Sequence, residues 1–275
     1  MQLGIFAKTF AGTDPAQVLR AAKTAGYDAV QFNLACAGLP SLPDHIDDEA
    51  GVIARIAAAS RATDVSLAAL SATYNMAHPD SAKRRAGLKG LEVAIRVAAG
   101  AAIPLVTLCT GTRHPSDQWA HHPDNADPSA WADLAAEMAL ALDLAERYGV
   151  DLGIEPEQAN IVQSTADARR LIAQMGSARL KIVFDPANLF EQATPEQARE
   201  IVARSIAPAL GAIAMVHAKD RAADGSFATA GQGIVDFADL LARIRATGFD
   251  GPLITHGLQA GEAPAVARFL RGLMA

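Results

Sequence analysis

Eight times along this chain a short apolar run is followed by a helical stretch, and no segment is left over. The runs cover residues 3–7, 29–33, 65–70, 104–109, 150–155, 180–185, 212–217 and 253–256. Each is short and rich in aliphatic residues, as a strand buried on both faces must be. The stretches between them carry helix-start signals. Asp14-Pro15 and Asp127-Pro128 pair an N-capping acid with proline at the first helical position. Ser164-Thr-Ala-Asp167 and Thr194-Pro-Glu-Gln197 read as capping boxes. The exit phrase recurs as well: Gly26-Tyr-Asp28 and Gly248-Phe-Asp250 both stop a helix and start a strand. Alternation of strand and helix predicts a parallel sheet. Eight units predict an α/β fold of the (β/α)8 barrel type, a closed sheet of eight parallel strands. The expectation is one barrel domain over residues 1–275, a length such barrels reach undivided. A doubly wound open sheet is the alternative, but no GxGxxG follows the first strand to support a dinucleotide-binding version.

Charge narrows the partners. The chain has 24 Lys and Arg against 30 Asp and Glu, a net charge of −6, with no basic block. Nucleic acid is a poor partner for such a surface. No uncharged apolar run is long enough to span a bilayer. The start, Met1-Gln-Leu-Gly-Ile-Phe6, lacks the basic residues and long apolar core of a secretory signal. The expectation is a soluble cytoplasmic protein with no membrane partner. Cys36 and Cys109 stand far apart without a CxxC pattern and read as buried thiols.

The last four strands end on residues of one chemical kind: Glu155, Asp185, His217 and His256. In a closed barrel the carboxyl ends of the strands meet on one face, where the active site lies. Two carboxylates and two imidazoles brought together there can bind one divalent metal ion. Glu157 faces the same way as Glu155 if the backbone stays extended past Pro156. Further candidates for substrate contact are Asn188, Arg221, Asn75 with Tyr74 and His78, Lys8, and Trp119 in the long loop 110–127. Each also has an ordinary role open to it: turn hydrogen bonding for Asn188 and Asn75, solvation for Glu157 and Arg221, loop anchoring for Trp119. His121 and His122 read as surface residues.

Five phrases, taken in order, resemble the xylose isomerase-like TIM-barrel superfamily, the sugar phosphate isomerase/epimerase group. They are Gly153-Ile-Glu-Pro-Glu157, Phe184-Asp-Pro-Ala-Asn188, Val216-His-Ala-Lys-Asp220, Gly231-Gln-Gly-Ile-Val-Asp-Phe237 and Gly248-Phe-Asp-Gly-Pro-Leu-Ile254. The resemblance implies a divalent metal held by Glu, Asp, His and a final Glu. The first three fall on Glu155, Asp185 and His217. The fourth position carries His256 instead of Glu. A site with two imidazoles would favour Mn²⁺, Co²⁺, Zn²⁺ or Fe²⁺ over Mg²⁺. The family's paired acid/base glutamates would become Glu155 with His256, an imidazole of unperturbed pKa ~6.5. The implied activity is metal-dependent isomerisation or epimerisation of a sugar or keto-sugar through an enediolate. Dehydration or lysis of a keto-sugar or inosose is an alternative, and a non-catalytic sugar-binding barrel is another. The partner implied is a small sugar or polyol. The endonuclease branch of the same barrel is disfavoured by the acidic balance. By resemblance alone, a homo-oligomer remains open.

Overall fold

The structure, a computed structural model, describes residues 1–274. Eight parallel strands close into a barrel: β1 (Gln2–Phe6), β2 (Ala29–Phe32), β3 (Ser66–Ser71), β4 (Leu105–Cys109), β5 (Asp151–Glu155), β6 (Leu180–Phe184), β7 (Ile213–Ala218) and β10 (Pro252–Thr255). The strands lie around the ring in chain order, and β1 pairs with β10 to close it, Gln2 opposite Pro252 and Ile5 opposite Thr255. Helices α1 (Pro15–Thr24), α2 (Glu49–Thr63), α3 (Ser81–Gly100), α4 (Pro128–Tyr148), α5 (Thr165–Met175), α6 (Pro195–Ala209), α7 (Phe237–Ala246) and α8 (Ala263–Met274) each follow a barrel strand. The barrel expected from the alternation is the one found.

The start signals work as read. Asp14 caps the Ala16 and Gln17 amides, and Asp127 caps that of Ser129. Ser164 with Asp167, and Thr194 with Gln197, form reciprocal capping boxes. The exit glycines Gly26 and Gly248 sit at φ +98° and +82°, a region that disfavours any side chain with a Cβ. One element escaped the sequence. Between β7 and α7, β8 (Asp220–Arg221) and β9 (Phe227–Ala228) form a small antiparallel hairpin. Two-residue strands are too short to leave a periodic pattern. Among the described residues no helix is long and apolar enough to cross a membrane.

Two apolar layers make the core. The larger fills the space between barrel and helices. The smaller, Ala69, Leu105, Val183, Met215 and Ile254, plugs the barrel's interior. Side chains two apart on a strand face the same way. The position two residues beyond each member of the plug therefore points inward one layer nearer the carboxyl ends. Those positions are Ser71, Thr107, Asp185, His217 and His256. The plug is thus the floor of a site.

Candidate active site

Above this floor lies a cavity of about 1130 Å³. Its base is lined by Phe6, Gln31, Ser71, Thr107, Glu155, His217 and His256, each from a different strand end or the residue after it. Glu155, Asp185 and His217 converge, each offering one ligand-type atom within 4.8 Å of the others. His217 Nδ1 stands 3.3 Å from Glu155 Oε1 and 3.5 Å from Asp185 Oδ2. Its other ring nitrogen, Nε2, is 2.9 Å from Gln31 Oε1, and the Gln31 amide donates to Thr107 Oγ1 at 2.9 Å. Asn188 Nδ2 donates to Glu155 Oε1 at 2.6 Å, and Lys219 Nζ donates to Asn188 Oδ1 at 3.0 Å. Lys219 Nζ also lies 4.0 Å from Asp185 Oδ2.

The charges explain one another. Burial alone would lower the His217 pKa, but the carboxylates of Glu155 and Asp185 outweigh it and push it up to about 10. Burial would raise Asp185, yet Lys219 and His217 hold it well below the usual carboxylate range. Glu157 is pushed up to about 8 by burial and by the neighbouring Glu155 charge. His256 is lowered to about 3 by burial, then by the positive charges of His217 and Lys219, so its imidazole is neutral at physiological pH. Cys109 lines the cavity too, but burial drives its thiol well up, which makes it a poor nucleophile.

One carboxylate oxygen is unspoken for. Asp185 Oδ2 is buried without a hydrogen bond, while Asp185 Oδ1 accepts from the Ala187 amide at 2.9 Å. An anionic oxygen left bare beside a second carboxylate and an imidazole nitrogen is a donor set that suits a divalent cation. His256 stands outside that group. Its ring stacks, offset, on that of His217, with centroids 5.2 Å apart and planes 19° from parallel, and His256 Nδ1 is buried without a partner. The converging set is therefore two carboxylates and one imidazole, less rich in nitrogen than the four strand ends suggested.

Of the expected substrate contacts, Asn188, Glu157, Arg221 and Trp119 line the cavity, as does Lys8. Asn75 does not. Its amide donates to Thr112 O at 2.8 Å, and its Oδ1 accepts from the Ala77 and Thr112 amides, which braces two loops against each other. Tyr74 is likewise turned away, its hydroxyl donating to the buried Glu137 at 2.9 Å. His78 binds Pro115 O at 3.0 Å outside the cavity. Sequence reasoning passed over Gln31, Thr107 and Lys219. The period-two rule applied inward from the plug finds Thr107, and Gln31 sits at the equivalent depth on β2.

A family profile described as xylose isomerase-like TIM barrel matches residues 19–273. The chain belongs to that family. No curated protein matches the sequence. Among solved structures, a 3-keto-D-glucoside 4-epimerase from E. coli superposes with TM-score 0.76 at 17% identity, covering 99% of both chains. An L-ribulose 3-epimerase superposes with TM-score 0.75 at 19% identity, over 99% of this chain and 93% of the other. A D-allulose 3-epimerase from Methylomonas sp., bound to D-allulose, gives 0.73 at 18% identity, over 99% and 96%. At these identities the likeness is one of fold, and it spans the whole barrel.

Proposed function

We propose that this chain is a divalent-metal-dependent isomerase or epimerase of a sugar or keto-sugar. The convergence of Glu155, Asp185 and His217 at the base of a polar cavity, with Asp185 Oδ2 left bare, carries the reading. The structural neighbours support the substrate class, since their names are those of keto-sugar epimerases. When bound, a metal held by Glu155, Asp185 and His217 would supply Lewis-acid polarisation of the substrate carbonyl.

The chain's own residues do the rest. Asn188 fixes one oxygen of Glu155 and so orients the carboxylate. Glu155 takes the proton from the carbon beside the carbonyl, leaving an enediolate. The Lys219 ammonium, next to Asp185, places positive charge beside the developing oxyanion. Return of the proton from Glu155 to the neighbouring carbon completes an isomerisation. Delivery of a proton to the opposite face of the same carbon completes an epimerisation. The neutral His256 has no acidic proton to give, whereas the Glu157 carboxyl, pushed up to about 8 and lining the same cavity, can supply one and recover it from Glu155 through solvent. The apolar floor closes the cavity from below.

The reading is tested by wash-in of deuterium from D₂O into ketoses, followed by NMR with the Mn²⁺-loaded protein. Exchange is expected at one carbon of at least one ketose, and Glu155→Gln is expected to lower it by ~10²–10⁴-fold. A sugar-binding barrel without turnover is the second reading, favoured by the neutral His256 at the position of the family's last glutamate. It is supported instead if no ketose exchanges and Glu155→Gln leaves sugar affinity unchanged.

A further inference from the structure

The cavity is larger than one sugar ring needs. A ketohexose displaces on the order of six waters, or 180 Å³ at 30 Å³ each. That fills only a small part of the 1130 Å³ available. The remaining space is lined by polar and charged side chains and by two exposed aromatic ones. Among the described residues three large aromatic side chains are more than a third exposed: Trp119 at 48%, Phe227 at 56% and Phe269 at 40%. Two of the three, Trp119 and Phe227, line this one cavity. Trp119 comes from the loop after β4 and Phe227 from the hairpin after β7, on either side of the strands that carry Glu155 and Asp185.

Phe227 is held in place by two cations. Lys219 Nζ lies 3.6 Å and the Arg221 guanidinium carbon 4.2 Å from its ring centroid. Arg221 is itself pinned, donating to Ala187 O at 2.8 Å and to Gly225 O at 2.7 Å. The same Lys219 donates to Asn188, which donates to Glu155, so the aromatic lip and the carboxylate cluster form one connected structure. A rigid, half-exposed ring at the lip of a polar pocket presents an apolar face of the kind that the C–H face of a second ring can cover.

We propose that the cavity takes an extended substrate, a ketose carrying a second ring in glycosidic linkage, with the outer ring seated on Trp119 and Phe227. The inference rests on the sugar reading above and narrows it to glycosides. Arg221 and Lys219 act here as positioning residues for Phe227.

Calorimetry on the Mn²⁺-loaded protein tests this, with D-fructose compared against turanose, lactulose and isomaltulose. Those disaccharides carry a second sugar ring on O3, O4 or O6 of the same fructose. At least one is expected to bind about tenfold or more tighter than fructose. Trp119→Ala and Phe227→Ala are expected to remove most of that advantage while leaving fructose affinity within about twofold. Both residues are exposed, so neither variant should lose its fold, and an unchanged melting curve checks this. Fructose binding as tightly as all three disaccharides overturns the inference alone. So does an advantage that survives both substitutions. If none of the four sugars binds, the sugar reading falls and this inference falls with it.

Discussion

At the scale of single residues, the site depends on which nitrogen of His217 carries hydrogen. Nδ1 faces Glu155 and Asp185, so a proton or a metal must sit there. In either case Nε2 keeps its hydrogen and needs an acceptor, which Gln31 Oε1 provides at 2.9 Å. Reversing the Gln31 amide would set its N–H donors against the His217 Nε2–H, whereas the present orientation donates to Thr107 and accepts from His217. Gln31→Leu is expected to weaken Mn²⁺ or Co²⁺ binding ~10–100-fold by calorimetry. Gln31→Glu, which keeps an acceptor, should recover most of it. A Leu variant that binds metal as tightly as the parent would remove the positioning role. Glu155, Asp185 and His217 were legible in the sequence because each breaks an apolar run with a polar residue at its end. Gln31 was not, because its partner lies 186 residues away and a lone glutamine in a strand carries no local signal. His256 shows the limit from the other side. The strand-end pattern places it at the cavity, but only packing decides that its ring lies in an offset stack beside that of His217.

At the scale of elements, the hairpin β8–β9 is clamped by one buried carboxylate. Asp220 Oδ1 accepts from the Arg221 and Val235 amides, and Oδ2 from those of Gly231 and Gly233, all at 2.8–3.0 Å. Asp220 is fully buried, so those bonds have no water to replace them. Asp220→Asn turns one acceptor into a donor that faces N–H groups, at a cost of ~1–3 kcal/mol per unsatisfied group. Hydrogen exchange across residues 220–235 should speed up roughly tenfold or more, while the barrel strands keep their protection. Uniform acceleration over the whole barrel would instead make Asp220 a global anchor. The acid was visible in the sequence as the end of Val216-His-Ala-Lys-Asp220. Its task was not, because the four amides it gathers become neighbours only once the hairpin has formed.

At the scale of the molecule, the fold was the most legible part. Eight alternations with capped helices leave few topologies, and the ring order follows the chain. What joins the ends is less local. The buried Tyr27 hydroxyl, in the turn before β2, donates to Ala263 O at the start of α8 across 236 positions. Burial pushes its pKa from 10.0 up to about 12, and burial likewise pushes Cys36 from 9.0 up to about 11. Both pKa values are raised in the folded state, so the unfolded chain ionises first. Their contribution to stability is full below pH ~9 and is lost as the pH climbs through the folded values. The urea midpoint is expected to hold steady from pH 7 to ~8.5 and to fall between pH ~9.5 and ~11.5. Cys36→Ala and Tyr27→Phe should each flatten that fall, and a slope unchanged in both would count against the assignment.

The convergence of Glu155, Asp185 and His217 also bears on the order in which the barrel can be completed. A chain synthesised only through Asp185 already holds both carboxylates of the cluster but neither of the cations that neutralise them, since His217 and Lys219 come later. Two like charges brought together there repel each other, and two of the five floor residues, Met215 and Ile254, are also still to come. The last quarter of the polypeptide thus closes the ring and discharges it in one act. The growing barrel has an electrostatic reason to stay open until its closing strands exist.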